Sequence, residues 1–449
     1  GEIAPRRHCW RRFYDGDLKS ISSIGQLRCD KIIERPPVLP DMPVKHHHCP
    51  HERAPPSAAY TTSVFAISTI VARNYLPYAR VLMESAREHN PEAARIVLVT
   101  DGDDTVRVDG CQVLTPFDLF ADEEELQRQA FMYDVMEFAT ALKPLLLKHL
   151  LAEHERAVFI DPDCRLFNPL PSARLADEAS LAALTPHRIT PPPLDGLYPD
   201  EQLVKTFGVF NLGFAEANIN SRPLLDWWAS RLRRHGGIEP SATLYTDQRW
   251  MDLAPSYFDV TVVRHPGFNV APWNIDERDL GPASEAIVGE SPLVFAHFSG
   301  VRPPGGAGRT LPARLRLPDA RVNASPSVVA AFEDLCMDYV RAVMNEGLDE
   351  ARASSYGWGS YADGSPIPLR ARRLYRREVI RAEGQGKTPP APPLGRTLLA
   401  GSARLDFLER SRFLEASRSG WQSDVQRVRS AGFKEAWRRT GGSVVRRGT

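Results

Sequence analysis

The sequence is short of the features that most readily place a chain. Its six cysteines (Cys9, Cys29, Cys49, Cys111, Cys164, Cys336) are scattered, with no Cys-x-x-Cys pair and no disulfide-framework spacing, which suggests a reducing compartment. No apolar run reaches membrane-spanning length, and no signal-peptide pattern is present. No internal repeat is found. The glycine-rich fingerprints of dinucleotide and P-loop sites are missing from the turn after the first clear strand. A nucleotide would therefore not be held by a phosphate-cradling glycine loop here, which makes a metal the natural phosphate holder.

The chain also has no net charge, with 56 Lys+Arg against 56 Asp+Glu. That balance hides an asymmetry: 19 Lys/Arg but only 7 Asp/Glu lie in 369–449, leaving 37 against 49 before it. The body is acidic and the tail basic. The tail lacks interleaved aromatics at useful density, so no nucleic-acid partner is expected. A solvated or loosely packed helical appendage is the plain reading of such a tail, and a surface for anionic lipid or an anionic acceptor the sharper one.

What is present is size and proline. A chain of 449 residues can hold one large α/β domain plus a smaller accessory region. Its 38 prolines predict long irregular connections. Residues 1–60 are Pro-rich and irregular and carry the cluster His46-His47-His48-Cys49-Pro50-His51. Zinc is one reading of that cluster, but without the usual knuckles an extended arm lying on the body is preferred. The chain opens on Gly1 rather than Met, which fits a native start lying upstream.

The organising stretch is 158–167. Val158, Phe159 and Ile160 form a short apolar run suited to a buried strand, and Asp161-Pro162-Asp163 follows at its carboxyl end. Open α/β sheets put their ligands there. Two carboxylates one residue apart at a turn can face one point, and a hard divalent metal carrying a substrate phosphate is their natural partner. The triplet alone is weak, because Asp15–Asp17 and Asp101–Asp103 repeat it and a turn with acceptor side chains explains an isolated case.

The surroundings strengthen it. Residues 63–70 read as a strand, Asn74 and Pro77 lead into a helix through His89, and 95–100 is a second strand, which together make a parallel crossover unit. Residues 123–155 read as helical with a break at Pro144, and Lys143 stands where it could reach a diphosphate or remain a solvated lysine. Residues 204–217 carry Asn211-Leu212-Gly213, whose Asn and Gly within an apolar strand suggest a ligand contact or a bulge. A Ser221-capped helix follows, with Trp227 and Trp228 on its core face. Asp247-Gln248 is an acid–amide pair that could read sugar hydroxyls or cap a helix. Residues 260–263 are another strand, and 292–298 is read as the last core strand, ending at His297-Phe298-Ser299-Gly300. Residues 325–345 are a Ser-capped helix with apolar positions 328, 332, 335, 339 and 343, and 402–417 is a second amphipathic stretch.

This ordered set resembles the GT-A glycosyltransferases, in particular the family 8-like group, over roughly 63–300. It also resembles bacterial surface-polysaccharide glycosyltransferases in Leu142-Lys143-Pro144, Asp161-Pro-Asp163, Asn211-Leu-Gly213-Phe214, Asp247-Gln248-Arg-Trp250-Met-Asp252, Pro266-Gly267-Phe268-Asn269-Val270, Trp273-Asn274 and His297-Phe298-Ser299-Gly300. The resemblance implies an α/β fold with a mixed, mostly parallel central sheet flanked by helices, and a basic helical C-terminal appendage. It implies a catalytic domain at 61–318 after the extension at 1–60, a helical extension at 319–362 packing on it, and the tail at 363–449. By the family pattern Asp161, Asp163 and His297 bind metal, Mn²⁺ or Mg²⁺. Thr69, Asn74, Lys143, Asp161, Gly213 and Gly300 fall on the donor side, and Asn211, Asp247 and Gln248 beside the transferred sugar. The family's diphosphate-gripping Lys is replaced here by Arg302, a fork rather than a point charge.

The implied activity is transfer of a hexose, with retention, from a UDP-sugar to a glycan, lipid-linked or protein acceptor in cell-surface polysaccharide or glycoconjugate synthesis. Front-face attack and a covalent intermediate on a carboxylate such as Asp247 both remain open. The implied setting is cytoplasmic, with peripheral contact at the inner membrane face through the basic tail. A metal-dependent phosphohydrolase, a nucleotidyltransferase and an inactive sugar-nucleotide-binding scaffold are the competing readings. The hydrolase pattern wants Thr or Val two residues after the second Asp, where this chain has Arg165.

Overall fold

The structure is a computed structural model that describes residues 65–172, 175–176, 179–195, 200–239, 242–301, 303 and 324–392. The cluster at 46–51, the Asp15–Asp17 triplet, Arg302 and the 402–417 stretch lie outside the described residues.

The chain runs β1 (Phe65–Val71), α1 (Leu76–His89), β2 (Ala94–Val99), β3 (Gln112–Leu114), α2 (Glu123–Met132), α3 (Val135–Ala141), α4 (Lys143–Leu150), β4 (Arg156–Ile160) and β5 (Cys164–Leu166). It continues with β6 (Ala182–Pro186), α5 (Glu201–Phe207), β7 (Phe210–Asn218), α6 (Arg222–His235), β8 (Ile238–Glu239), β9 (Leu244–Tyr245), α7 (Gln248–Met251), α8 (Ala254–Tyr257) and β10 (Val260–Val262). The hairpin β11 (Ile287–Val288) and β12 (Ser291–Pro292), then β13 (Phe295–His297), α9 (Pro326–Asn345), α10 (Leu348–Arg352) and α11 (Leu369–Gly384) complete it.

Seven strands form one sheet in the order β10-β6-β7-β4-β1-β2-β3. The pairs β4–β1, β1–β2, β2–β3 and β10–β6 are parallel, and β7 runs antiparallel to both neighbours. The expected mixed, mostly parallel sheet is what the chain forms. Every residue of β1 and β4 is buried, as strands covered on both faces must be. Their side chains alternate between two cores. Ala66, Ile70, Ala157 and Phe159 join the core under α2, α3, α4 and α6, whereas Ile67, Val71, Val158 and Ile160 join the core under α1. Trp228 is fully buried in the first and Trp227 packs against it, as read from the sequence. The register sets Ile160 opposite Phe214, so the end of parallel β4 meets the start of antiparallel β7. The acid turn and Asn211 are brought together there.

Three local expectations change. The predicted helical region 123–155 is three helices. A new start is made at Asp134, whose carboxylate takes the amides of Met136 and Glu137 while Glu137 reaches back to Asp134 N. The expected break at Pro144 holds: α3 ends at Ala141 and Lys143-Pro144 opens α4, where a missing N–H is harmless. Ser221 does not cap α6; its hydroxyl donates to Leu181 O and accepts from Asn218 N, pinning the helix to the sheet. The last expected core strand leaves the sheet, since β13 pairs antiparallel with β5 in a separate ribbon. The Asp101–Asp103 triplet is a turn with acceptors: Asp101 takes the amides of Arg73 and Gly357, each at 2.9 Å, and Asp103 pairs with Arg73. The Ser325 cap holds, accepting from Val328 N at 3.3 Å, and positions 328, 332, 335, 339 and 343 are all buried.

The basic region is partly docked where it is described: Arg377, Arg381 and Lys387 are exposed, while Arg372, Arg373 and Arg376 are buried. Arg372 on α11 donates to the carbonyls of Ala130, Phe131 and Tyr133, the groups left open at the end of α2, and to Trp358 O. Arg373 pairs with buried Glu137, and Tyr375 and Val379 enter the main core. The positive charge here docks a helix onto carbonyls and carboxylates of the body. Among the described residues no helix is long and apolar enough to cross a membrane.

Glu125 anchors the same face. Arg234 donates to its two oxygens at 2.6 and 2.8 Å, and Arg233 at 3.1 Å to each. Burial opposes the charge of Glu125, but the two guanidinium groups prevail and hold its pKa near 2, below its ordinary 4.5. A depressed carboxylate stabilises the fold above the unfolded pKa and loses that contribution as pH falls through the folded one. Acid titration followed by circular dichroism should show stability falling between about pH 4.5 and 2 in the wild type. Glu125→Gln should flatten that slope and cost roughly 3 kcal/mol at neutral pH, as expected for a broken buried pair.

Candidate active site

The turn after β4 divides its two acids. Cys164 N donates to Asp161 O at 3.1 Å and closes the turn, while Asp161 N donates to Gly213 O at 2.9 Å and ties it to β7. Asp161 faces Lys143, with Nζ to Oδ1 at 3.1 Å. Asp163 faces His297, with Nε2 to Oδ1 at 3.1 Å.

Lys143, the first residue of α4, is only 3% exposed. Its ammonium also meets Asp247 Oδ2 at 3.0 Å and Leu212 O at 2.8 Å, and lies 4.5 Å from the centre of the Phe159 ring. Its charge is thereby paired with two carboxylates, and it donates a hydrogen bond to Leu212 O. Burial works against its charge, but Asp161 and Asp247 overcome this and raise its pKa. Burial raises the pKa of Asp161 despite Lys143 and His297. Burial also opposes the charge on Asp163, but His297 prevails and lowers its pKa. His297 is the reciprocal case: burial disfavours its charge, and Asp163 raises its pKa.

His297 is oriented from behind. Its Nδ1 lies 3.1 Å from Asn269 Oδ1, and Asn269 Nδ2 donates to Asn211 Oδ1 at 3.1 Å. Asn269 therefore presents its oxygen to the ring and accepts from Nδ1, while Nε2 donates to Asp163 in the charged ring that Asp163 favours and would offer its lone pair to a bound cation. Asn211 Oδ1 also accepts from Gly213 N at 3.0 Å. Gly213 lies beneath the ring: a Cβ there would stand 2.7 Å from His297 Cε1 and Nδ1 and from Asn211 Oδ1. Trp273 packs edge-on to the imidazole, with ring centres 5.2 Å apart.

Among the described residues, one group of potential metal ligands converges: Asp163, Cys164 and His297, whose donor atoms lie within 4.8 Å of one another. Burial raises the Cys164 thiol well above its usual pKa, so the hard donors are Asp163 and His297. An imidazole whose other nitrogen is fixed by an acceptor, beside a carboxylate, fits a divalent cation. Asp161, also expected as a ligand, lines the same cavity and pairs with Lys143.

These groups open into a cavity of about 450 Å³. Of the residues expected from the sequence, Asn74, Lys143, Asp161 and Asp163 line it, as do Asn211, Asp247, Gln248 and His297. Thr69 does not; it is fully buried in β1. Gly213 acts from beneath His297, and Gly300 turns the chain after Ser299 with φ 75°. Asp247, 2% exposed, is held through its carbonyl by Trp228 Nε1, and Gln248 Nε2 donates to Phe207 O at 2.7 Å. Asn74 Oδ1 is buried without a hydrogen-bond partner. The sequence reading missed His187, which lines the cavity just after β6. No strand was read at Ala182–Pro186, so nothing in the sequence reading marked His187. It also missed the apolar wall formed by Val135, Met136 and Ala139 on α3, whose side chains carry no chemical signature.

No protein-family model matches the chain, and no curated protein matches it. Among solved structures it is similar to the galactosyltransferase LgtC in complex with donor and acceptor sugar analogues, at 13% identity over 62% of this chain and 95% of that one, with TM-score 0.37. It is similar to the bifunctional glycosyltransferase WbbM in its apo form, at 15% identity over 54% of this chain and 47% of that one, with TM-score 0.35. A third is mouse xyloside xylosyltransferase 1 in its apo form, at 12% identity over 53% of this chain and 98% of that one, with TM-score 0.33. At that level the likeness bears on neither activity nor substrate.

The clearance at Gly213 is directly testable. Gly213→Ala should push the His297 ring off Asp163 and weaken binding of Mn²⁺, measured by electron paramagnetic resonance, by about tenfold or more, the usual scale for disturbing a ligand's support. Unchanged Mn²⁺ affinity in a folded Gly213→Ala protein would contradict this geometry.

Proposed function

We propose that this chain is a GT-A type glycosyltransferase that moves a hexose, with retention, from a UDP-sugar to a glycan, lipid-linked or protein acceptor. One observation carries the reading: a carboxylate–imidazole pair, Asp163 and His297, opens into the same cavity as Lys143, Asp247, Gln248 and Asn211. Asp163 and His297 would hold Mn²⁺ or Mg²⁺, whose charge would offset that building on the leaving diphosphate. Lys143 holds Asp161 and Asp247 by one ammonium, which fixes Asp247 in the cavity wall and balances the local negative charge. Asn211 turns its amide nitrogen to the cavity, because its oxygen is already used. Asn74 Oδ1, a buried acceptor without a partner, suits an N–H of a nucleobase.

On this reading the catalytic domain spans 61–318, and the helices of 319–362 brace it. The acceptor belongs to cell-surface polysaccharide or glycoconjugate synthesis, with the basic C-terminal residues meeting the inner face of a membrane.

Calorimetric titration of UDP with and without Mn²⁺, on wild type and Asp163→Ala, tests the proposal. Binding should require the metal and fall by about a hundredfold or more in the variant, the scale expected when a buried charged partner is removed. Sugar transfer should be abolished in Asp163→Ala with the fold retained by circular dichroism. Normal activity in that variant would sink the assignment.

A further inference from the structure

His187 is a cavity residue that the reading above leaves unused. Its backbone is held at three points. Its N–H donates to Val209 O at 2.9 Å, and its carbonyl accepts from Trp273 Nε1 at 3.1 Å and Asn274 Nδ2 at 3.0 Å. Its ring packs edge-on against Trp273, with centres 5.6 Å apart. The imidazole thus stands in a fixed place on the cavity wall, opposite the Trp273 contact with His297.

Two further facts define what the ring offers. Burial pulls its pKa down to about 4, against the pull of the Gly208 and Val209 carbonyls, so it is neutral at physiological pH. A neutral imidazole has one donor and one acceptor nitrogen. Nδ1 is buried and makes no hydrogen bond. Nε2 faces the amide nitrogen of Asn211, a donor because Asn211 Oδ1 is already taken, so Nε2 carries the lone pair. The nearest group to Nε2 is Asn211 Nδ2, at 3.4 Å, too long for a strong bond.

Asn211 offers the complement. Its oxygen accepts from both Gly213 N and Asn269 Nδ2, so its amide hydrogens are what it turns toward His187. A fixed donor and a fixed acceptor stand side by side in one wall, joined only by a weak contact. The neutral group that accepts from one and donates to the other is a hydroxyl. The pair is one relay from the candidate metal ligand, through Asn269 to His297, and shares its cavity with Asp247 and Gln248.

We propose that Asn211 Nδ2 and His187 Nε2 form a donor–acceptor pair that binds one hydroxyl of the transferred sugar and so makes His187 a determinant of donor specificity. This rests on the glycosyltransferase reading. A site built to bond a hydroxyl penalises a substrate lacking it, because its buried polar groups are left without partners.

The test is calorimetry in the presence of Mn²⁺, with UDP, UDP-glucose, UDP-galactose and their monodeoxy analogues, on wild type, His187→Phe and His187→Gln. UDP should bind all three proteins within about twofold, which also reports that the variants fold. The preferred sugar nucleotide should bind His187→Phe about tenfold or more weakly than wild type, the scale of a lost buried hydrogen bond. His187→Gln, which retains an acceptor oxygen, should recover part of that loss. One monodeoxy analogue should bind wild type poorly yet bind His187→Phe as well as its parent does. Equal loss for UDP and sugar nucleotide, no loss in His187→Phe, or wild type that accepts every monodeoxy analogue like its parent would each overturn the hydroxyl-binding pair alone. Failure of wild type to bind UDP, its sugars or GDP would overturn the glycosyltransferase reading and the pair with it.

Discussion

The site depends on one buried ammonium. Lys143 bonds Asp161 on the acid turn, Asp247 at the start of α7 and Leu212 O on β7, and so joins three segments distant in sequence. A charge this deeply buried is tolerated only when its donors are satisfied and opposite charge is close. Removing the ammonium would leave both carboxylates without their counter-charge. The same constraint explains why the two acids of the turn do not act alike. Asp161 balances Lys143 while Asp163 is turned toward His297.

A second arrangement places His297. The chain leaves the central sheet after the acid turn, and β5 pairs with β13 in register Cys164 to His297. Phe298 N donates to Asp163 O at 2.8 Å, which holds the two strands together at the turn itself. The ring then needs room, and Gly213 provides it from below, while Asn269, in the left-handed conformation at φ 53°, turns its amide to the ring. A β-turn, a two-strand ribbon and one missing Cβ together set an imidazole against a carboxylate. The basic helix α11 follows a similar logic at the opposite scale: Arg372 is spent on the open carbonyls of α2 and Arg373 on Glu137.

Much of this was legible in the residues. The run Phe65–Val71, the helix opened by Pro77 and the strand Ala94–Val99 announced a parallel crossover, because β-branched runs and helical spacing differ in period. The apolar triplet before Asp161 marked β4, and the Ser325 helix was written in its cap and its buried stripe. The partnership of Lys143 with Asp247 was not legible, since no local pattern records a contact across 104 positions. Nor was the departure of β13 from the sheet, because three buried residues look alike in a sheet and in a ribbon. Ser221 had the composition of a cap, but a competing carbonyl at Leu181 claimed its hydroxyl.

The sequence by itself determined which segments could be strands or helices and which turn would carry two acids, because those follow from short-range periodicity and the chemistry of single side chains. Only the tertiary structure decided what each acid faces, which nitrogen of His297 meets Asp163, and that His187 and Asn211 stand side by side. Those outcomes depend on hydrogen bonds and ion pairs between distant segments, and one amide's orientation is settled only when its neighbours have taken its other end.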